Sequence, residues 1–290
     1  MKTFKSVLVL LSLVIMISCG PSDKKTVEKL EKNIGLQMYS LRDDINNDAV
    51  GVDSIIKVIG EMGYKYVEAA SYFDGLIYGM PPETFKEKVE AAGLISLSCH
   101  VRQDITDNMD EVWAWWDKCI ATHKAAGMKY IVQPSMPTPE TVEGLQAYCD
   151  YFNQVAEKCK AAGLEFGYHN HAYEFEKVYD DGTVMYDYMI QHMDKVFFEL
   201  DIYWCQKGGR LATELFTQYP GRFTFLHVKD EAELGQSGYM NFEDIFNNID
   251  KSGAKYLIVE VERYNVPPVE SVKQSLDYLN NAEFVKITKN

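Results

Sequence analysis

The sequence predicts an α/β domain built as a (β/α)8 barrel, the TIM barrel, and three observations carry that prediction. Amphipathic stretches repeatedly end at a glycine and run at once into a short apolar segment. Eight apolar segments recur at intervals of about 30 residues, each followed by a helical pattern, which matches successive βα units better than an open doubly wound sheet. The chain has 290 residues, 47% hydrophobic and 13% aromatic, enough for one packed barrel of about 250 residues and an N-terminal extension.

In chain order, residues 1–19 read as a lipoprotein signal peptide, 20–32 as a tether and 33–290 as the barrel. Lys2 and Lys5 supply a positive start, and residues 7–17 form an apolar run of signal-peptide length that is too short to span a bilayer. The run ends in Met16-Ile17-Ser18-Cys19-Gly20, which resembles the lipobox of bacterial lipoproteins, with Cys19 as the lipidated residue. A plain signal peptide or an uncleaved anchor is the alternative. The expectation is a periplasmic or outer-membrane lipoprotein that touches the membrane only through this anchor.

Strands are expected at 34–39, 64–67, 94–97, 128–132, 164–166, 196–201, Phe223–Val228 and Tyr256–Val259. Five of them follow Gly63, Gly93, Gly127, Gly163 and Gly253, and three of these glycines carry the same preceding pair, Ala91-Ala92, Ala125-Ala126 and Ala161-Ala162. Glycine suits the residue just past a helix, where a left-handed backbone is often required. Thr138-Pro139-Glu140 predicts a helix start, with a capping hydroxyl, proline at the first helical position and an acid in the first turn.

Charge and cysteines narrow the function. A formal net charge of −14 opposes a nucleic-acid partner, because such binding depends on Lys and Arg neutralising phosphates. Beyond Cys19, the five cysteines Cys99, Cys119, Cys149, Cys159 and Cys205 are scattered without CxxC pairing, so no disulfide framework is expected.

Barrel enzymes carry their chemistry at the C-terminal ends of the strands, and here those ends are polar. They deliver Gln37 and Arg42, Glu68, His100, Gln133, then His169-Asn170-His171 with Glu174 beyond, Asp201 with Tyr203 and Trp204, His227 with Lys229 and Asp230, and Glu260 with Glu262. Four of the six histidines fall in this set. His169 and His171 lie two apart, so their side chains share one side of the strand. Taken alone that pair is equally consistent with a structural role, and Asp201 could equally cap a helix. Asp201, His227 and Glu260 on three consecutive strands together point to a divalent metal site.

These segments resemble the xylose isomerase-like TIM barrels, the sugar phosphate isomerase/epimerase group. The resemblance runs over residues 34–283 and rests on Gly35-Leu36-Gln37-Met38-Tyr39-Ser40-Leu41-Arg42, Tyr168-His169-Asn170-His171, Leu200-Asp201-Ile202-Tyr203-Trp204, His227-Val228-Lys229-Asp230 and Val259-Glu260. The family's metal set of Glu, Asp, His and Glu from strands five to eight implies Asp201, His227 and Glu260 as ligands. On strand five, where many members have Glu, this chain has His169. Glu174 is taken as the fourth ligand and His169 as facing the substrate, with the reverse assignment open. Three carboxylates and one imidazole suit Mn²⁺, with Co²⁺, Zn²⁺ or Mg²⁺ as alternatives.

The resemblance further implies proton abstraction next to a sugar carbonyl. The Tyr-His-Asn-His stretch is closest to inosose dehydratases and 3-keto-glycoside-cleaving members, which favours elimination from an unphosphorylated keto-glycoside, with isomerisation or epimerisation as the rival and a non-catalytic sugar-binding lipoprotein as the third reading. His169 or His171 is then the base, Lys229 and His100 bind substrate oxygens, Gln37 and Glu68 line the substrate, and Tyr203 and Trp204 form a stacking wall. An abasic-site endonuclease would need more histidine ligands and a basic DNA face.

Overall fold

A computed structural model describes residue 32 and residues 34–286. The expected signal peptide, Cys19 and all of the tether except Lys32 lie outside them. Among the described residues no helix is long and apolar enough to cross a membrane.

Eight parallel strands form one sheet: β1 Ile34–Gln37, β2 Tyr66–Ala69, β3 Ile95–Cys99, β4 Tyr130–Gln133, β5 Glu165–His169, β6 Phe197–Asp201, β7 Phe223–Val228 and β8 Tyr256–Val259. Their order is β3-β2-β1-β8-β7-β6-β5-β4. The seam between β3 and β4 is joined by the bridge His100↔Val132 and by backbone bonds from Val101 N–H to Val132 O (2.9 Å) and Lys129 N–H to Leu97 O (3.1 Å). The expected barrel is therefore the fold, with helices between the strands. Both faces of each strand are covered, which is why the strands read as nearly continuous apolar runs.

The glycine joints lie where expected; the strands after Gly63, Gly93, Gly127 and Gly163 begin one or two residues later, while that after Gly253 begins at Tyr256 as expected. Gly163 takes φ +87° and closes the helix Val142–Ala162. Leu164 N–H then bonds back to Cys159 O at 2.9 Å, so Leu164 belongs to the cap and β5 starts at Glu165. The helix start expected at Thr138-Pro139-Glu140 moves to Thr141, whose hydroxyl accepts from Gly144 N–H at 3.1 Å. Pro139 O is instead bonded by the Tyr179 hydroxyl at 3.2 Å, outside the helix. All five described cysteines are buried and none is joined in a disulfide.

Two apolar layers result. The larger lies between strands and helices, as where Ile55, Ile56 and Ile59 of the helix Gly51–Met62 are buried. The smaller plugs the lower barrel with Tyr66, Leu97, Tyr130, Val132, Phe197, Phe225 and Ile258. Its rings meet edge to face, Tyr130 lying 4.8 Å from Phe225 and 5.5 Å from Phe197, an arrangement favoured by the ring quadrupoles. Register shifts occur at Val67/Glu68 between β2 and β3 and at Phe198/Glu199 between β6 and β7. Such irregularities re-aim side chains, and both fall at a buried acid.

Gly60 marks a point where packing opposes helix propensity. A Cβ there would lie 2.2 Å from Ala92 O, a backbone atom. Gly60→Ala should therefore destabilise the fold, because overpacking of about 1–3 kcal/mol outweighs the helix gain of about 0.5–1 kcal/mol. A urea midpoint equal to or above that of the unaltered protein would refute this.

Candidate active site and metal centre

Alternation along the strands builds the site. On β6, Phe197 belongs to the apolar plug and Glu199 and Asp201 follow it at two-residue intervals on the same side. Phe225 and His227 repeat this on β7, Tyr66 and Glu68 on β2, and Ile258 and Glu260 on and just beyond β8. On β5, Gly167 precedes His169, and its missing side chain leaves room for the Phe197 ring, which a Cβ would approach to 2.4 Å. The barrel interior thus changes from rings to ionisable groups toward the strands' C-terminal ends.

The lower polar tier pairs two buried carboxylates with two imidazoles. Glu68 accepts from Gln37 Nε2 (2.9 Å), Ser98 Oγ (2.6 Å) and His227 Nε2 (2.8 Å). Glu199 Oε2 lies 2.7 Å from His100 Nε2, which is also 3.1 Å from Glu68 Oε1. Burial works against a charge on His100, but Glu68 and Glu199 raise it to about 10. His227 is held well above its ordinary range despite burial, first by Glu199. Glu199 in turn is held well below the usual carboxylate range by His227 and His100, again against its burial.

Above it, His169, Asp201, His227 and Glu260 each present one ligand atom, all within 4.8 Å of one another. Asp201 Oδ1 accepts from Trp204 N–H at 2.8 Å and so caps the helix Ile202–Lys207. Its Oδ2 is buried without a hydrogen-bond partner, as are His169 Nδ1, His227 Nδ1 and Glu199 Oε1. His227 Nδ1 stands 3.4 Å from Glu260 Oε2. Asn170 ties the two strand ends together, donating to Asp201 O (3.2 Å) and accepting from Asp201 N–H (3.0 Å). Burial pushes Asp201 up to about 7 against the pull of Lys229. Unpartnered buried polar atoms each cost about 1–3 kcal/mol; three of these four belong to His169, Asp201 and His227, which with Glu260 form a donor set that a divalent cation would satisfy. Glu68, bonded to the far nitrogen of His227, fixes that ring's orientation, the usual second carboxylate behind a metal-binding histidine.

At the rim, Lys229 Nζ lies 3.1 Å from Glu260, 2.7 Å from Glu262 and 4.0 Å from Asp201. Burial opposes its charge, yet Glu260 and Asp201 keep the ammonium above its ordinary range. Its Nζ sits 5.0 Å from the Trp204 ring centroid. His171 lies between Tyr173 and Trp204, at 6.1 and 5.8 Å. Burial lowers it to about 4, so the ring is neutral at pH 7 with Nδ1 unpartnered.

Several sequence-based expectations change here. Asp201, His227 and Glu260 come together, but Glu174 does not join them; His169 does. Both Glu174 oxygens are already engaged, by the Tyr168 hydroxyl and by His171 N–H, each at 2.8 Å. Gln37 and Glu68 lie beneath the cluster with their polar atoms bonded inside the barrel, since Gln37 Oε1 also accepts from Tyr39 N–H at 3.0 Å. Both therefore support the cluster from below. His100 Nε2 is likewise engaged in the lower tier, leaving only Nδ1. Trp204 belongs to the rim, whereas Tyr203 is buried against Tyr239 and lies under Lys207. Asp230 ties down its own loop through Glu231 N–H, Gly235 N–H and Ser237. Glu199 was missed, although the period-two alternation from Phe197 through Asp201 marks it. With His169 in place, the donor set is two imidazoles and two carboxylates, which suits Mn²⁺, Fe²⁺, Co²⁺ or Zn²⁺ better than Mg²⁺.

The xylose isomerase-like TIM barrel family model matches residues 56–282. A sugar phosphate isomerase/epimerase of known structure from Parabacteroides distasonis is 36% identical, with a TM-score of 0.80 over 88% of this chain and 100% of its own. Another from the same organism is 31% identical, with a TM-score of 0.82 over 91% and 99%. L-ribulose 3-epimerase shares the fold at 14% identity, with a TM-score of 0.67 over 86% of this chain and 93% of its own. A search of curated proteins finds no match.

Two expectations separate ligands from supports. In competition with a chelator, His169→Ala should lose Mn²⁺ or Zn²⁺ affinity and Glu68→Gln should lose about 10–100-fold, whereas Glu174→Gln should stay within about threefold of the original; loss with Glu174→Gln and retention with His169→Ala would reverse the assignment. Burial also raises Glu174 from 4.5 to about 7. The fold thus favours its protonated form, a contribution complete below about 4.5 and lost as pH rises through 7. Melting temperature should fall less over that window in Glu174→Gln; an unchanged slope would count against the buried neutral carboxyl.

Proposed function

The chain belongs to the xylose isomerase-like TIM barrel family, and we propose that it is a divalent-metal-dependent enzyme removing the proton next to the carbonyl of an unphosphorylated keto-sugar. The finer reading is a 3-keto-glycoside 1,2-lyase. The observation that carries the proposal is the four-residue donor set, three of whose members hold an unpartnered buried atom, beside one neutral imidazole and one ammonium.

A cation held by His169, Asp201, His227 and Glu260 would polarise the carbonyl oxygen and offset the charge that develops as the proton leaves. Lys229, kept protonated by its acidic neighbours, is positioned to donate to a substrate oxygen. His171, neutral and with a free ring nitrogen, takes the α-proton and returns it to the departing oxygen. In the lyase reading the C2–H and C1–O bonds break, C1=C2 forms, and the proton leaves with the aglycone. With His169 in the ligand set, His171 is the imidazole left for this work.

Elimination needs one proton carrier, whereas epimerisation needs a second on the opposite face of the carbon. In this reading Asp201 and Glu260 are metal ligands and Glu68 and Glu199 hold His227 and His100 beneath them, which leaves His171 as the one proton carrier and supports elimination. The description of two relatives as sugar phosphate isomerase/epimerases favours the rival. Against a phosphorylated substrate stands the export expected from residues 1–19. That export and lipidation at Cys19 form part of the same proposal, since an exported enzyme meets glycosides rather than sugar phosphates.

The metal-loaded protein should be incubated with a 3-keto-glucoside in D₂O and followed by NMR. Aglycone release with an unsaturated keto-sugar, lost on chelation and slowed at least 100-fold in His171→Ala, is expected. Deuterium at the α carbon with the glycosidic bond intact would establish epimerisation or isomerisation instead, and no change with any keto-sugar would overturn the enzymatic reading in favour of a sugar binder.

A further inference from the structure

Beside the metal tier, at the C-terminal ends of β1 and β2, lies a separate cavity of about 190 Å³ lined by Tyr39, Arg42, Ile45, Ala70, Ser71 and Tyr78, among others. We propose that this cavity is the subsite for the group attached to the reacting sugar, and that it takes a planar aromatic ring, as in a phenolic glycoside. The inference rests on the keto-glycoside reading above and adds the leaving-group class.

Size comes first. A whole drug-sized ligand fills about 300–1,000 Å³, whereas an apolar cavity of about 150 Å³ holds one benzene ring. The space beside β1 therefore fits one ring and not a complete glycoside. Its lining is largely apolar or aromatic, through Met38, Tyr39, Ile45, Ala70 and Tyr78. Its one cation is held over aromatic faces: the Arg42 guanidinium carbon is 4.5 Å from the Tyr39 ring centroid and 5.6 Å from that of Tyr264.

Arg42 is fixed by neutral acceptors, Tyr39 O (3.1 Å), the Tyr264 hydroxyl (2.8 Å) and Glu262 O (3.0 Å). No carboxylate pairs with it among the described residues. A positive charge so placed favours a π face and the negative charge that grows on a departing phenolic oxygen. It also connects the cavity to the reacting groups, because Glu262, whose carbonyl Arg42 binds, holds Lys229 at 2.7 Å.

One lining residue, Tyr78, is strained. Tyr72–Phe73 pairs with Leu76–Ile77, and Tyr78 just beyond takes φ +48°, a left-handed conformation that costs a bulky residue about 1–3 kcal/mol and tends to persist at ligand clamps. The Tyr78 hydroxyl accepts from Ala70 N–H at 2.9 Å, which keeps the side chain at the cavity wall. Tyr39, which lines the cavity, is 45% exposed, so the space opens to solvent on its side.

Binding is measured first, by calorimetry on the metal-loaded protein with phenyl β-glucoside, methyl β-glucoside and glucose 6-phosphate, none of which needs turnover. Phenyl β-glucoside should bind at least tenfold more tightly than the other two, and Ser71→Trp, which fills the cavity, should bring its affinity to that of the methyl glucoside. Equal affinities for the two glucosides, or tightest binding of the phosphate, would overturn the subsite. In turnover, the phenyl-to-methyl ratio of kcat/KM for the 3-keto-glucosides should fall at least tenfold in Tyr39→Ala, since the difference in leaving-group acidity is common to both proteins. Selective phenyl binding without cleavage would leave the subsite standing and remove the lyase reading; cleavage without aromatic preference would do the reverse.

Discussion

Two carboxylates buried inside the barrel, Glu68 and Glu199, impose the arrangement of everything above them. An ion withdrawn from water carries an effective penalty of several kcal/mol unless it is paired and hydrogen-bonded. Glu68 meets this with Gln37, Ser98, His227 and His100, and Glu199 with His100 and more distant contacts to His169 and His227. Because His227 turns Nε2 to Glu68, its Nδ1 is left toward Glu260. The orientation of one candidate ligand is thus decided a layer below the site.

The fold makes such a tier possible by separating it from the apolar plug. The rings of Tyr66, Tyr130, Phe197 and Phe225 fill the lower barrel, and the polar groups lie toward the strands' C-terminal ends. The two register shifts, at Val67/Glu68 and Phe198/Glu199, coincide with the two acids. Asn170 then links the ends of β5 and β6 through both hydrogen bonds to the Asp201 backbone. The site is accordingly carried by strands, and its loops supply the rim: His171, Trp204 and Lys229 near the proposed reacting centre, and Tyr39, Arg42 and Tyr78 at the cavity beside it.

Local pattern alone revealed much of this. Glycine joints and apolar runs at a regular period identify the eight strands, because a helix end needing a left-handed residue and a strand buried on both faces each leave a signature within a few residues. Asp201, His227 and Glu260 were legible for the same reason, each being an ionisable residue closing an apolar run. Glu199 carries the same two-residue alternation with Phe197 and Asp201, but it lies within the strand rather than at its end.

Other features had no local signature. Whether Glu174 or His169 completes the donor set depends on the Tyr168 hydroxyl and the His171 amide engaging both Glu174 oxygens, a contact made only when the short helix Tyr173–Glu176 folds back onto β5. Gln37 and Glu68 sit at strand ends in the sequence, yet the barrel's curvature brings His227, 159 positions from Glu68, onto them from the opposite side. Tyr203 and Trp204 are adjacent, and only the helix turn after Asp201 decides which ring faces Lys229. The sequence by itself determined the barrel, the ends of its strands and the kinds of group they carry, because periodicity and chain direction are local properties. The tertiary structure decided which of those groups meet, since partners for buried charges are chosen by closure of the sheet across distances that no short stretch of sequence encodes.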